Sequence, residues 1–153
     1  MNEKINEKLI VLDESYLPQM AELYKKAFTG DPWNDDWSDE AQLEEYIKEI
    51  ACAYRPLNYG LLLDGKLSAV SIGCIKHWWQ GTEYYLDELF VEPGLQGQGV
   101  GTKFLAMIEE DIKKCGLCGI FLQTDNDKPS YQFYLKRGYK ELPEHVSFFK
   151  EVK

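Results

Sequence analysis

Two stretches of this sequence are built to bind charge, one by its lack of side chains and one by its acids and indoles. In "LFVEPGLQGQGVGTKFL", residues 89–105, Gly94, Gly97, Gly99 and Gly101 fall between an apolar run and a strongly periodic one. A strand that enters, glycines that let the backbone turn with its N–H groups aligned, and a helix that starts at once make an anion site without any basic side chain. The spacing is not that of a P-loop: counted from Gly94 the second glycine is Gly99, but Val100 and Gly101 stand where Lys and Ser or Thr belong. The dinucleotide fingerprint starts at Gly97 and Gly99, then meets Thr102 in place of its third glycine. The spacing favours a pyrophosphate over a turn that serves only the fold, for which one or two glycines suffice.

The other stretch, "GDPWNDDW", gathers Asp31, Asp35 and Asp36 with Trp33 and Trp37. Acids beside indoles suit a cationic amine, by charge and by cation–π contact. "KHWW" (His77, Trp78, Trp79) ends a strand further on and suits the opposite wall of such a site. Loop packing and contact between copies are equally served by both groups. The histidines, His77 and His145, are too few and too far apart for a metal site or a triad. Cys115 and Cys118 form a lone C-x-x-C with no second pair, which reads as structural thiols and no metal site.

These residues need elements to hold them. "KLIVLD" (8–13) reads as a first strand, and Leu17, Met20, Leu23, Tyr24 and Phe28 follow at helical spacing. After the acid and indole loop, Ser38 is the expected N-cap of a helix over 39–53 that carries Leu43, Tyr46, Ile47 and Ile50 on one face. A strand, an Asp64-Gly65 turn and a second strand make a hairpin. "GTEYYLDELFVE" is the next strand, and Val100, Phe104, Ile108 and Ile112 recur every four residues in a helix running to about Cys115. "GIFLQTD" reads as a short buried strand, "KPSYQFYLKRG" as a short helix closed by Gly138, and "HVSFFKEV" as a last strand. The order β-α-α-β-β-β-α-β-α-β gives an α/β (α+β) fold with one mixed central sheet flanked by helices, in a single domain over 1–153.

Composition narrows the function. Acidic residues outnumber basic ones 26 to 17, a net charge of −9, which excludes a nucleic-acid backbone binder and draws cationic small molecules. No apolar run approaches the roughly 20 residues needed to span a bilayer, so no membrane role is expected. The polar, mixed-charge start "MNEKINEKLIVLDESY" does not read as a signal peptide, which makes the cytoplasm the expected compartment.

Gln96-Gly97-Gln98-Gly99-Val100-Gly101 resembles the Q/R-x-x-G-x-G/A signature of the GNAT superfamily of N-acetyltransferases. "YYLDELFVEP" looks like the strand that precedes it there, and "FYLKRGY" (Phe133 to Tyr139) is similar to the family's "FYxKxGF" helix and turn. The resemblance covers nearly the whole chain. It implies acetyl-coenzyme A as co-substrate, its pyrophosphate held by Gln96 to Thr102 and its pantetheine arm along the preceding strand. The thioester oxygen would accept an N–H near Leu89, Phe90 and Val91. Family members place an Asn ahead of the "FY" helix; here Asn126 lies one residue early and Asp127 is in register.

The implied reaction is transfer of acetyl to an amine by direct attack. An alkylammonium is only ~0.1% neutral at pH 7, a cost of about 4 kcal/mol, so a base must take its proton. In family members that act on polyamines and aminoglycosides an acid matching Asp87 has that role; Asp87 is therefore the expected base, with Glu88 second. Tyr134 matches the family tyrosine that protonates the coenzyme thiolate. The expected acceptor is a primary amine of a small cationic molecule, polyamine- or aminoglycoside-like, with Asp31, Trp33, Asp35, Trp37, Trp78 and Trp79 around it. Two other readings stay open: a non-catalytic acyl-coenzyme A sensor or regulatory domain, and a protein or peptide acetyltransferase. Such folds often pair as dimers, so a homodimer is a further expectation.

Overall fold

Alternating apolar residues build a sheet of five strands in the order β1-β2-β3-β4-β5. Strands β1 (Glu7–Val11), β2 (Tyr59–Leu63), β3 (Lys66–Trp78) and β4 (Gly81–Val91) pair antiparallel in succession, and β5 (Gly119–Leu122) joins β4 in parallel. The computed structural model describes residues 3–153, and the chain divides into two compact units, one ending at Gln123 and the other Thr124–Lys153. All five strands belong to the first unit.

Helix α1 (Leu17–Thr29) buries Met20, Leu23, Tyr24, Ala27 and Phe28, one stripe at helical period. Helix α2 (Glu40–Ala51) buries Leu43 and Ile47, and its N-cap is Asp39, whose carboxylate accepts the Gln42 N–H at 3.1 Å. Ser38 was the expected cap; its own N–H instead donates to Asp36 Oδ1 at 3.1 Å, which leaves the cap to the next residue. Both helices pack on one face of the sheet, against Val70, Ile72 and Phe90. Helix α3 (Val100–Lys114) covers the other face with Phe104, Ile108 and Ile112 against Tyr59, Leu61, Tyr84 and Leu86.

Buried polar groups are tied in pairs. Asn58 donates from Nδ2 to the Ala51 carbonyl at 2.9 Å and accepts the Gly73 N–H at 3.2 Å, which fixes the end of α2 to β3. Ser71 and Tyr84 share a hydroxyl hydrogen bond of 2.6 Å, and Tyr84 also donates to the Leu57 carbonyl at 2.9 Å.

In the second unit, α4 (Pro129–Lys136) starts with Pro at a first-turn position, where its missing N–H costs nothing. It is closed as expected by Gly138, beyond which the Tyr139 N–H donates to the Tyr134 carbonyl at 3.1 Å. The expected last strand is not formed. Residues 140–153 carry no strand, and Phe148 and Phe149 are 92% and 93% exposed. A strand exists only where its backbone joins a ladder, and no ladder among the described residues includes 140–153.

Candidate active site

The central feature of the site is a break in the β3–β4 ladder. Ile72 pairs with Glu88 but Gly73 pairs with Leu86, so Asp87 is an extra residue in β4, a β-bulge. Tyr84 and Leu86 face α3; strict alternation would send Glu88 and Phe90 the same way. The bulge reverses the alternation. Phe90 joins the core under α1 and α2, with Glu88 on the same side, while Leu89 and Val91 pack towards α3.

Glu88 therefore enters an aromatic wall. Its Oε1 accepts a hydrogen bond of 2.6 Å from the Tyr46 hydroxyl on α2. Tyr46 stacks on Trp37 at 5.5 Å between ring centres, and Tyr24 lies edge-on to Trp37 at 5.5 Å and to Phe90 at 5.4 Å. Trp33 closes on Phe28 at 5.4 Å. Burial pushes the Glu88 carboxyl up to about 7, reinforced by the charges of Asp87 and Asp35 and opposed by the hydroxyls of Tyr46 and Tyr24. The same carboxylate and burial raise Tyr24 and Tyr46 well above the ordinary phenol range. The indole N–H of Trp37 is buried with no acceptor among the described residues.

Asp87 itself reaches solvent. Enclosure by the neighbouring protein still raises its pKa, and the Lys76 ammonium counters that shift. A carboxyl at about 7 inside a wall of rings is suited to accept a proton near neutrality. An exposed one beside a lysine is not held in that way.

The acid and indole loop divides in function. Asp35 contributes charge at Glu88, and its N–H is fixed to the Phe28 carbonyl at 2.9 Å. Asp31 instead accepts from Asn34 Nδ2 at 2.8 Å and Asp36 caps Ser38, so both are occupied in shaping the loop. Trp33 and Trp37 form part of the aromatic wall and its core. Trp78 and Trp79 stand elsewhere. Trp78 pairs with Gly81 at the β3–β4 hairpin tip, seven residues along β4 from Glu88, a separation of about 20 Å at strand rise. Trp78, Trp79 and His77 are exposed there, and the structure does not bring them to the acids.

The glycine turn has the geometry its sequence suggested. After a short 3-10 turn at Pro93–Leu95, Gly97 and Gly99 both take φ of 79°, a left-handed conformation that side chains resist. Gly99 is the N-cap of α3 and offers no side chain to its first N–H groups. A Cβ at Gly97 or Gly99 would meet nothing within 4 Å, so these glycines answer to backbone angle and open space and not to packing. Gln98 folds back to the Gly94 carbonyl at 3.2 Å, and the Gln96 N–H closes on Pro93 at 3.3 Å. Val100, Gly101 and Thr102 form the first turn of α3.

Between Glu88 and this turn, β4 parts from its neighbour. Leu86 is the last residue paired with β5, while β4 continues to Val91. Among the described residues the β5-side edge of Leu89, Phe90 and Val91 therefore has no partner strand, an opening that leads from the acid to the helix end. These residues fit a pyrophosphate-bearing arm: a helix N-terminus without a side-chain cap at one end, an open strand edge along the way, a carboxyl at the other. An open groove of about 730 Å³ touches the turn at Gly99 and Thr102, but it runs between α3 and Leu9 of β1, at the far end of the sheet from β5.

In the second unit, Tyr134 sits half-buried on α4, edge-on to Phe133 at 5.1 Å and to Tyr139 at 5.3 Å. Asn126 is exposed in the turn before α4, where Thr124 and Ser130 share a hydroxyl hydrogen bond of 2.7 Å. Among the described residues no group of side chains has the makings of a metal site. No helix among them is long and apolar enough to cross a membrane.

Tyr24 and Tyr46 were read from the sequence only as members of apolar helix faces. Their one signal is chemical: a phenol on a buried stripe needs a partner for its hydroxyl.

The chain matches the model of the acetyltransferase (GNAT) family over residues 17–139. It is 30% identical over 111 residues to an acetyltransferase of Agrobacterium fabrum, spanning 67% of this chain and 80% of that one. It is 35% identical over 68 residues to the aminoalkylphosphonate N-acetyltransferase of Salmonella typhimurium, a match spanning 44% of this chain and 43% of that protein. An aminoglycoside N-acetyltransferase solved with coenzyme A shares the fold at a TM-score of 0.70 and 18% identity, covering 99% of this chain and 98% of its own.

Proposed function

The chain belongs to the acetyltransferase (GNAT) family, and we propose that it moves acetyl from acetyl-coenzyme A to a primary amine of a small cationic molecule, with Glu88 as the base. The observation that carries this reading is the bulge at Asp87, which turns Glu88 into the wall of Tyr24, Tyr46 and Trp37. Asp35 and Asp87 add negative charge around it, a field suited to an ammonium. Names among the relatives, aminoglycoside and aminoalkylphosphonate N-acetyltransferases, support a small amine as acceptor.

Each part of the chain then has one task. Glu88 takes a proton from the acceptor's ammonium, and the indole and phenol faces hold that cation while excluding water. The free nitrogen bonds to the acetyl carbon as the carbon–sulfur bond breaks, and the departing thiolate takes a proton from Tyr134. Backbone N–H groups at Leu89 to Val91 receive the thioester oxygen, and the α3 N-terminus with Gly97 and Gly99 receives the pyrophosphate. The order of roles departs from the sequence expectation. Asp87 was the first choice for the base; here it is the residue that redirects the strand, and Glu88 is the base.

Release of free thiol from acetyl-coenzyme A tests the reading, with a panel of a diamine, an aminoglycoside, an amino acid and an aminoalkylphosphonate. Turnover should be highest with the polycations. Glu88→Gln should lower kcat/KM by two or more orders of magnitude and Asp87→Asn by less than tenfold. Coenzyme binding with no turnover on any amine would support the sensor reading instead.

A further inference from the structure

We propose that Lys76 sets acceptor specificity: its ammonium fills a cation place beside Glu88, so an acceptor directs any further positive charge to the Asp35 side. The inference rests on acetyl transfer to a small cationic amine, the function proposed above. In the β3–β4 ladder Ile72 faces Glu88, Cys74 faces Tyr85 and Lys76 faces Glu83. Tyr84 and Leu86 point to α3, so Tyr85 between them points to the face that holds Glu88. The Glu88 and Tyr85 positions lie two residues apart along β3, about 7 Å at strand rise.

The Lys76 ammonium lies 3.8 Å from the centre of the Tyr85 ring, which stacks on Phe121 at 5.1 Å. Its cross-strand partner is an acid, Glu83, and opposite charges on facing residues attract. Yet no ion pair forms between the two among the described residues. The lysine leans one register step towards Glu88 instead, and its charge is felt at Asp87. A ring face with a carboxylate beside it is what a bound ammonium needs. The chain builds such a place next to the base and fills it with its own side chain.

The other side of Glu88 has the same ingredients without a lysine over them. Tyr24, Tyr46 and Trp37 stand there, and Asp35 is fixed to α1 through the Phe28 carbonyl. The charges that act on Glu88 are those of the acids Asp87 and Asp35. A second ammonium on the acceptor is therefore attracted on the Asp35 side. On the Tyr85 side it meets the Lys76 charge at contact distance and is repelled. Lys76 is exposed, so it selects by charge and not by packing. Polycations whose further charges lie towards Asp35 are admitted, and those whose charges run along β4 are disfavoured.

Butylamine and the diamine of the same carbon chain test this, since they differ by one charge. The quantity read is the ratio of their kcat/KM values, diamine over monoamine, with acetyl-coenzyme A saturating. Lys76→Met keeps the length of the side chain and removes its charge; the ratio should rise about fivefold or more, and Lys76→Glu should raise it further. Lys76→Arg should keep the wild-type ratio, and Asp35→Asn should lower it. Lys66→Met, the same charge lost at the other end of β3, should move the ratio by less than about twofold. An equal rise in Lys66→Met would reduce the effect to net charge and overturn the inference. So would a ratio unmoved by Lys76→Met and Lys76→Glu, or by Asp35→Asn, while turnover of amines leaves the proposed function standing. No turnover with any amine would overturn the function and this inference together.

Discussion

Glu88 carries its own pH dependence. A glutamate raised from 4.5 to about 7 keeps its proton longer in the folded chain than in the unfolded one. Between those pH values the folded state binds more protons, so stability falls as pH rises, and above 7 the ionised form costs on the order of 3 kcal/mol. Glu88→Gln removes that cost. Its melting temperature should exceed that of the wild type at pH 8 and approach it near pH 4, a crossover that thermal denaturation across pH will read. In the proposed reaction, a base poised near neutrality destabilises the fold that holds it. Tyr46 tunes the same group: its hydrogen bond lowers the Glu88 pKa against burial. Removing that hydroxyl in Tyr46→Phe should move the acid limb of the kcat/KM profile to higher pH. A role limited to packing would scale activity without moving the limb, so the pH profile separates the two.

At the scale of elements, a bulge and a glycine turn on one strand–helix unit set the site. At Gly99 a methyl group meets no protein atom, yet φ of 79° strains any L-residue by about 1 kcal/mol. Gly99→Ala should therefore cost little stability while raising the KM for acetyl-coenzyme A tenfold or more, the acceptor KM unchanged; steady-state kinetics with each substrate varied will show it. This turn was legible in the sequence because glycine spacing is a local property. So were α1, α2 and α3, whose apolar stripes recur at helical period. The bulge was not, because one inserted residue alters the ladder and leaves composition untouched. Its only trace is that the residues facing α3 step by three from Leu86 to Leu89 where alternation asks for two. Tyr46 was missed as a site residue because its partner lies 42 residues away. The run "HVSFFKEV" has a strand's composition but forms no strand among the described residues, because periodicity reports composition and not pairing.

Over the whole molecule, the net charge of −9 extends the local field of Asp35, Asp87 and Glu88 to longer range. That field attracts a polycation well before contact, and salt screens it: the Debye length is about 30 Å at 0.01 M and about 10 Å at 0.1 M. The acids beside Glu88 act at short range, where screening is weak, so they are felt at any salt. The two contributions therefore separate by titration. With acetyl-coenzyme A saturating, kcat/KM for a diamine or polyamine should fall several-fold between 0.01 and 0.3 M sodium chloride, most of it below about 0.1 M. An amino acid, zwitterionic at neutral pH, should show a flat dependence, and an aminoalkylphosphonate a flat or rising one. Parallel declines for all three amines would mean that salt acts on coenzyme binding or on the fold, and that the acidic surface serves solubility alone. A decline confined to the polycations would tie the charge of the whole chain to the choice of acceptor.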